Sequence, residues 1–265
     1  MEIIQSRQNA LVKTCVKLAS HRRERLKSGV TLLDGPHLIR AALDAGLPPQ
    51  RLLVAAGAVD KPEIVDLLGR FDGVPAVLAD TLFGELTELE SSSGILAVWP
   101  VPAAPAPRRD GLVLALDGVQ DPGNVGAMLR TAAAAGVAQA WLSPACADAW
   151  SPKVLRAGMG AHFLLPLVER ADLPALLADF GGRRAATLLQ GSVPLYAADL
   201  RGDLALVMGS EGGGVSEEVA ALTELRLRIP MRAGLESLNV GAAAAICLYE
   251  RLRQAGGEAV QADPA

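Results

Sequence analysis

Three short segments of the chain carry polar side chains at spacings that could do chemistry. The first runs Asp117-Gly118-Val119-Gln120-Asp121-Pro122-Gly123-Asn124, with Arg130 six residues further on. It sets an amide where the N-cap of a helix would stand and a guanidinium nearly two turns along it. The second is Gly209-Ser210-Glu211-Gly212-Gly213-Gly214. The third leads from Ile229-Pro230-Met231 to Ser237-Leu238-Asn239-Val240. An amide, a permanent cation, a carboxylate and a hydroxyl together can orient a substrate and stabilise developing charge. Each segment alone has a plainer account: a capped helix with a solvated arginine, a flexible glycine turn, a second cap.

The glycine loop invites comparison with phosphate-binding loops, and it fails. No Lys-Ser/Thr pair follows the glycines and no G-x-G-x-x-G is present. Glu211 would also set an anion where the loop amides should meet a phosphate, so the loop suits a neutral or cationic ligand.

The elements that must position these segments read as α/β. Buried-type strands at 112–116, 138–142, 163–168, 185–189, 204–208 and 225–229 alternate with helix-like stretches, which predicts an open, mainly parallel sheet with helices on both faces. The polar segments then fall at strand ends, where such sheets hold ligands. The last helix is expected from about Leu238 to Arg253, with a flexible tail over 257–265. The N-terminal half predicts a helix over 9–27 closed by Gly29, strands at 30–33, 51–55, 75–78 and 94–99, and helices at 37–45, 62–68 and 81–86. Between the halves lies a Pro/Ala stretch, 101–110, whose alternate prolines form neither helix nor inner strand; it is taken as a semi-rigid linker. The expected division is 1–100, linker 101–110, and 111–256.

Composition bounds the function. The chain has 265 residues, 51% hydrophobic and 20% charged, which is ordinary globular composition with room for two cores. Aromatic residues are only 3%, so a nucleic acid could not be held mainly by ring stacking. The net charge of −4 argues against a simple basic binder. Distribution matters more: Arg7, Lys13, Lys17, Arg22, Arg23, Arg25 and Lys27 face only Glu2 and Glu24 in the first thirty residues. That segment is either a solvated helix face or a footprint for phosphates. Cys15, Cys146 and Cys247 are scattered, as are His21, His37 and His162, so reduced thiols and no metal are expected. With no export signal and no apolar run long enough to span a bilayer, the expected location is cytoplasmic, without membrane association.

Read together, the three segments resemble the signature motifs of the SpoU-type (TrmH-like) RNA ribose methyltransferases. D-x-x-x-D-P-G-N-x-G-x-x-x-R-T-A is similar to the first, G-S-E-G-x-G-V to the second, and I-P-M-x-x-x-x-x-S-L-N-V-x-x-A-A to the third. Ser6-Arg7-Gln8-Asn9, Lys13, the Leu33-Asp34-Gly35 turn and Gly94-Ile95-Leu96-Ala97-Val98 are similar to the family's accessory RNA-binding domain, with Asp34 where Glu is usual. Gly241 replaces the more usual Ser after Asn239-Val240.

The resemblance implies a C-terminal SPOUT domain, an α/β fold with a deep trefoil knot, and a smaller N-terminal α/β sandwich related to ribosomal proteins. It implies S-adenosylmethionine as methyl donor, held by Met208, Gly209, Ile229, Pro230 and Leu238 largely through backbone groups. It implies RNA as substrate, rRNA before tRNA, contacted by Arg7, Asn9, Lys13, Arg22 and Arg23, and a homodimer for which Gly241 to Ala245 is a candidate face. In the reaction, Arg130 would handle the ribose 2′-hydroxyl, Asn124 would orient Arg130 or the ribose, Glu211 would fix the loop and Arg130, and Ser237 and Asn239 would shape the acceptor pocket. A guanidinium is a poor base at neutral pH, so Arg130 is expected to clamp the adjacent phosphate and lower the hydroxyl pKa. The alternatives are a tRNA-directed enzyme, a non-catalytic RNA-binding relative and a nucleotide-dependent α/β enzyme.

Overall fold

Asn9 starts the first helix by accepting the Leu11 N–H on its side chain at 2.9 Å. The expected single helix over 9–27 is in fact two, α1 (Ala10–Ser20) and α2 (Arg22–Ser28), broken at an extended His21. Local side chains account for the break. The Ser20 hydroxyl bonds back to the Val16 carbonyl, and buried Arg25 donates to the Leu18 and Ala19 carbonyls at the end of α1. Gly29 closes α2 in the left-handed region, at φ 66°.

The computed structural model describes residues 2–87, 93–188, 190–235 and 237–256; the expected tail at 257–265 and Leu189 lie outside them. The chain divides into two units, Met1–Ala103 with Trp150–Phe163, and Ala104–Ala149 with Leu164–Ala265.

The first unit is a five-stranded mixed sheet. It contains β1 (Ile3–Ile4), β2 (Val30–Asp34), α3 (Pro36–Asp44), β3 (Arg51–Ala55), α4 (Pro62–Gly69), β4 (Ala76–Leu78), α5 (Asp80–Gly84) and β5 (Ile95–Pro100). The strand order is β1-β4-β3-β5-β2, with β5 antiparallel to both its neighbours. β5 is buried from Ile95 to Trp99, as its unbroken apolar run requires. Asp34, at the end of β2, is buried and accepts a 2.6 Å hydrogen bond from the Thr87 hydroxyl.

The second unit is built on a seven-stranded sheet that is parallel throughout. After β6 (Leu112–Asp117), α6 (Pro122–Ala134) and β7 (Gln139–Leu142), the chain gives residues 150–163 to the first unit. There α7 (Pro152–Gly158) buries Leu155 in the core, and Trp99 meets Trp150 and Phe163 with ring centroids at 6.0 and 5.2 Å. The strand expected at 163–168 is thus displaced: Ala161–Phe163 is a 3-10 turn, and β8 is only Leu167–Glu169.

There follow α8 (Leu173–Asp179), β9 (Arg183–Thr187), β10 (Val193–Pro194), β11 (Leu204–Gly209), α9 (Glu217–Ala221), β12 (Leu225–Arg228) and α10 (Val240–Gln254). Val113, Ala115, Ala205 and Val207 face Leu173, Leu177 and Val219 of α8 and α9, while the alternate residues Leu114, Leu116, Leu206 and Met208 are equally buried. α10 packs on α6 and β11. The expectation of a mainly parallel α/β sheet is met. The Pro/Ala stretch is tied down rather than merely stiff: buried Gln139 accepts from the Arg108 N–H at 2.8 Å and donates to the Ala106 carbonyl at 3.0 Å.

The strand order, β10-β12-β9-β11-β6-β7-β8, contains a switch point. β6 continues through α6 to β7 on one side, whereas β11 continues through α9 to β12 on the other. β6 and β11 lie side by side from Leu112↔Leu204 to Asp117↔Gly209, so a crevice opens at their C-terminal ends.

Candidate active site

The three polar segments meet at that crevice. Asp121, not Asn124, caps α6: its carboxylate accepts the Asn124 N–H at 2.7 Å, and Pro122 takes the first helical position, where its missing N–H costs nothing. Asn124, inside the first turn, is free to project its amide sideways.

That amide joins all three segments. Asn124 Nδ2 donates to Glu211 Oε1 at 2.7 Å, and Asn239 Nδ2 donates to Asn124 Oδ1 at 2.9 Å. Asn239 Oδ1 in turn accepts the Ala242 N–H at 3.1 Å and so caps α10. The direction of the chain is forced from both ends. An ionised carboxylate only accepts and a backbone N–H only donates, so neither amide can flip without setting like atoms together. Gly241 lies against this relay: a Cβ there would be 3.1 Å from Asn239 Oδ1 and 3.8 Å from Asn124 Oδ1.

The glycine loop is shaped by close backbone approach. Ser210 and Gly214 exchange backbone hydrogen bonds at 2.9 and 3.0 Å, and the Ser210 hydroxyl accepts the Gly213 N–H. A Cβ on Gly209 would fall 2.0 Å from the Gly214 carbonyl carbon, so no other residue fits. Beyond the loop, the Ser216 N–H donates to Asp117 Oδ2 at 2.9 Å, fastening it to the end of β6.

Under the loop lies a cavity of about 270 Å³, just below the ~300–1,000 Å³ typical of small-molecule sites. Met208, Gly209, Ile229 and Leu238, expected to hold a ligand, line it, as do Glu211 and Ser237; Pro230 is not among its lining residues. Asn124 and Asn239 stand beside it through the relay. Arg130 does not line it and is not joined to Asn124 or Glu211; it is exposed, about 9 Å along α6 from Asn124 at 1.5 Å per residue. Its guanidinium makes no hydrogen bond or ion pair among the described residues.

Sequence reasoning missed Thr187 and Leu188 at the end of β9, and Met231 and Ala243. Adjacency of β9 to β11 and β12 brings the first two there, and no local motif marks it. The lining is largely apolar; among the described residues Glu211 is its one carboxylate and Arg228 its one cation, the latter already donating to the Ser192 carbonyl. An apolar slot with a carboxylate at its edge fits an adenosine bearing a sulfonium cation. The thiols do not act as nucleophiles: burial pushes Cys15 and Cys247 up to about 12 and raises Cys146, which donates to the Leu116 carbonyl. Among the described residues no three His, Cys, Asp or Glu side chains group as metal ligands, and no helix is long and apolar enough to cross a membrane.

In the first unit the basic segment is divided in its uses. Arg7 pairs with Glu85 at 2.5 Å, Asn9 caps α1 and Arg22 is half-buried, whereas Lys13 and Arg23 are exposed.

Comparison with known proteins bears on both units. Residues 111–249 match the family model described as the SpoU rRNA Methylase family, and residues 9–97 match the MRM3-like substrate binding domain. The chain is 36% identical to the Bacillus subtilis 23S rRNA (guanosine(2553)-2'-O)-methyltransferase RlmP, over 94% of this chain and 98% of that one. It is 32% identical to the mouse mitochondrial rRNA methyltransferase 3, over 92% and 72%. Among solved structures, the SpoU methyltransferase AviRb from Streptomyces viridochromogenes, in complex with the cofactor AdoMet, superposes with a TM-score of 0.84 at 28% identity, over 93% of this chain and 98% of that one.

Proposed function

The chain belongs to the SpoU rRNA methylase family, and on that premise we propose that it transfers a methyl group from S-adenosylmethionine to a ribose 2′-hydroxyl of rRNA. The observation that carries this reading is the relay Glu211–Asn124–Asn239, which binds three distant segments around one apolar cavity at the sheet's switch point. The donor supplies an activated methyl on a sulfonium. Met208, Ile229 and Leu238 would hold its adenosine, and Glu211 would face the cationic end. The donor's thioether would be the leaving group of the transfer, and the hydroxyl proton would pass to solvent. Arg130, which has no partner among the described residues, would clamp the neighbouring phosphate and stabilise the developing alkoxide. Ser237 and Asn239 would shape the acceptor side. The first unit would engage the RNA through Lys13 and Arg23, with Arg7, Asn9 and Arg22 in supporting positions.

The division into a substrate-binding part before the Pro/Ala stretch and a catalytic part after it belongs to the same reading. So do a cytoplasmic location, the knotted threading of the SPOUT fold, and a homodimer using the small residues Gly241 to Ala245 of α10.

The test is transfer of tritiated methyl to a 23S rRNA transcript, with mapping of the 2′-O-methyl position. Arg130→Ala should abolish transfer while leaving donor affinity intact, and Arg130→Lys should not restore it, because a point charge lacks the planar two-pronged contact. Incorporation into tRNA instead would move the substrate. Full rescue by lysine with an unchanged pH profile would remove the clamp from the mechanism.

A further inference from the structure

The first unit holds a cleft of about 540 Å³ at one end of its sheet, under the start of α1. Val30 and Val98 form its floor, and Asn9, Thr14, Gln50 and Arg51 its rim. Among the described residues no carboxylate lines it. The Gln50 amide and the Arg51 guanidinium are exposed and have no hydrogen-bond partner among the described residues. Asn9 Oδ1 is spent on the Leu11 N–H, so its Nδ2 remains as a donor. Thr14 donates to the Ala10 carbonyl, so its oxygen remains as an acceptor. Residues 10, 13, 14 and 17 share one face of α1, which carries exposed Lys13 and Lys17 past the cleft.

We propose that this cleft takes one unpaired nucleotide of the RNA substrate, an inference that rests on the functional reading above. A splayed base needs an apolar floor for its faces, donors and acceptors at its edge, and a cation for its phosphate, and the described residues of the cleft present that set without a repelling anion. Gln50 can pair two-pronged with a base edge, as glutamine does with adenine. The Arg51 plane can lie on the base or meet its phosphate, in place of an aromatic platform, which none of the described residues lining the cleft supplies. Lys13 and Lys17 would follow the adjoining backbone.

The test uses the full chain and a 23S rRNA transcript in filter binding at several salt concentrations. Gln50→Ala should weaken binding by about fivefold or more, the low end for a two-pronged base contact. Arg51→Ala should also lower the slope of log affinity against log salt by about one. Ala10→Trp, which fills the cleft without altering charge, should weaken binding and leave that slope unchanged. Arg70→Ala, removing a cation paired with Asp44 elsewhere on the unit, should bind as wild type. All four should keep the wild-type melting temperature as well as donor affinity, which separates loss of the site from loss of the fold.

Wild-type RNA binding by both Ala10→Trp and Gln50→Ala overturns the proposal. So does AMP binding that depends on Arg51 while RNA binding does not, since the cleft would then serve a free nucleotide. If those variants bind and methylate like a competent wild type, only the cleft is lost. If the wild type itself neither binds nor methylates the transcript, the functional reading falls and this inference with it.

Discussion

Asn124→Asp is an isosteric change that reverses one atom of the relay. The amide nitrogen that donates to Glu211 at 2.7 Å becomes an oxygen, while the acceptor for Asn239 stays in place. Two losses follow. A hydrogen bond to a charged group contributes about 1.5–3 kcal/mol. Two carboxylate charges ~3 Å apart repel by about 1.4 kcal/mol in a water-like medium and about 5 kcal/mol at an effective dielectric of ~20. Glu211 is exposed, so it can swing into solvent and escape most of the repulsion. The cost then reduces to the lost bond and a displaced loop, roughly a 10–100-fold weaker grip on the donor at 1.4 kcal/mol per decade.

Asn124→Ala loses the bond without adding charge, so its deficit should be no larger than that of Asn124→Asp. The assay is calorimetric titration with S-adenosylmethionine at pH 7.5, alongside methyl transfer. Wild-type affinity for Asn124→Asp would refute the assignment of the relay as the element that sets Glu211.

Other consequences concern the loop and the last helix. Gly209→Ala must push the Gly214 backbone away from a 2.0 Å contact with the added Cβ, costing about 1–3 kcal/mol as overpacking does; a lower melting temperature and at least tenfold weaker donor binding are expected, and an unshifted melt would contradict the rigid loop. Glu250, near the end of α10, is held down to about 2 by hydrogen bonds from Arg253 and Gln254. Its folded value lies below its unfolded value of ~4.3, so its contribution is present above that value and is lost as pH falls toward 2. Glu250→Gln should be less stable than wild type in urea at pH 7, and the difference should close on acidification across that window; a constant gap would mean that the pairing does not stabilise the fold.

The site was legible in outline because each of its segments follows a strand, and chain order alone brings parallel strand ends to one side of a sheet. The α6 cap was misplaced, although Pro122 carries the correction: proline favours the first helical position, which puts the cap at Asp121. Thr187 and Leu188 left no local trace, since their place follows from β9 lying next to β11, a neighbour distant in sequence. The division of the first helix at His21 has no glycine or proline to announce it; it depends on Arg25 reaching back to carbonyls six and seven residues earlier. Arg130 was found by its type and spacing, and that it has no partner among the described residues is knowledge that only the structure supplies.

The fourteen residues from Trp150 to Phe163 complete a core that otherwise ends at Ala103. During synthesis, therefore, the amino-terminal portion emerges from the ribosome with Trp99 unshielded and cannot mature until some sixty further residues have left the exit tunnel. A gene cut at the proline-rich stretch would yield an incomplete fragment prone to self-association, and supplying the missing piece as a separate peptide should rescue it.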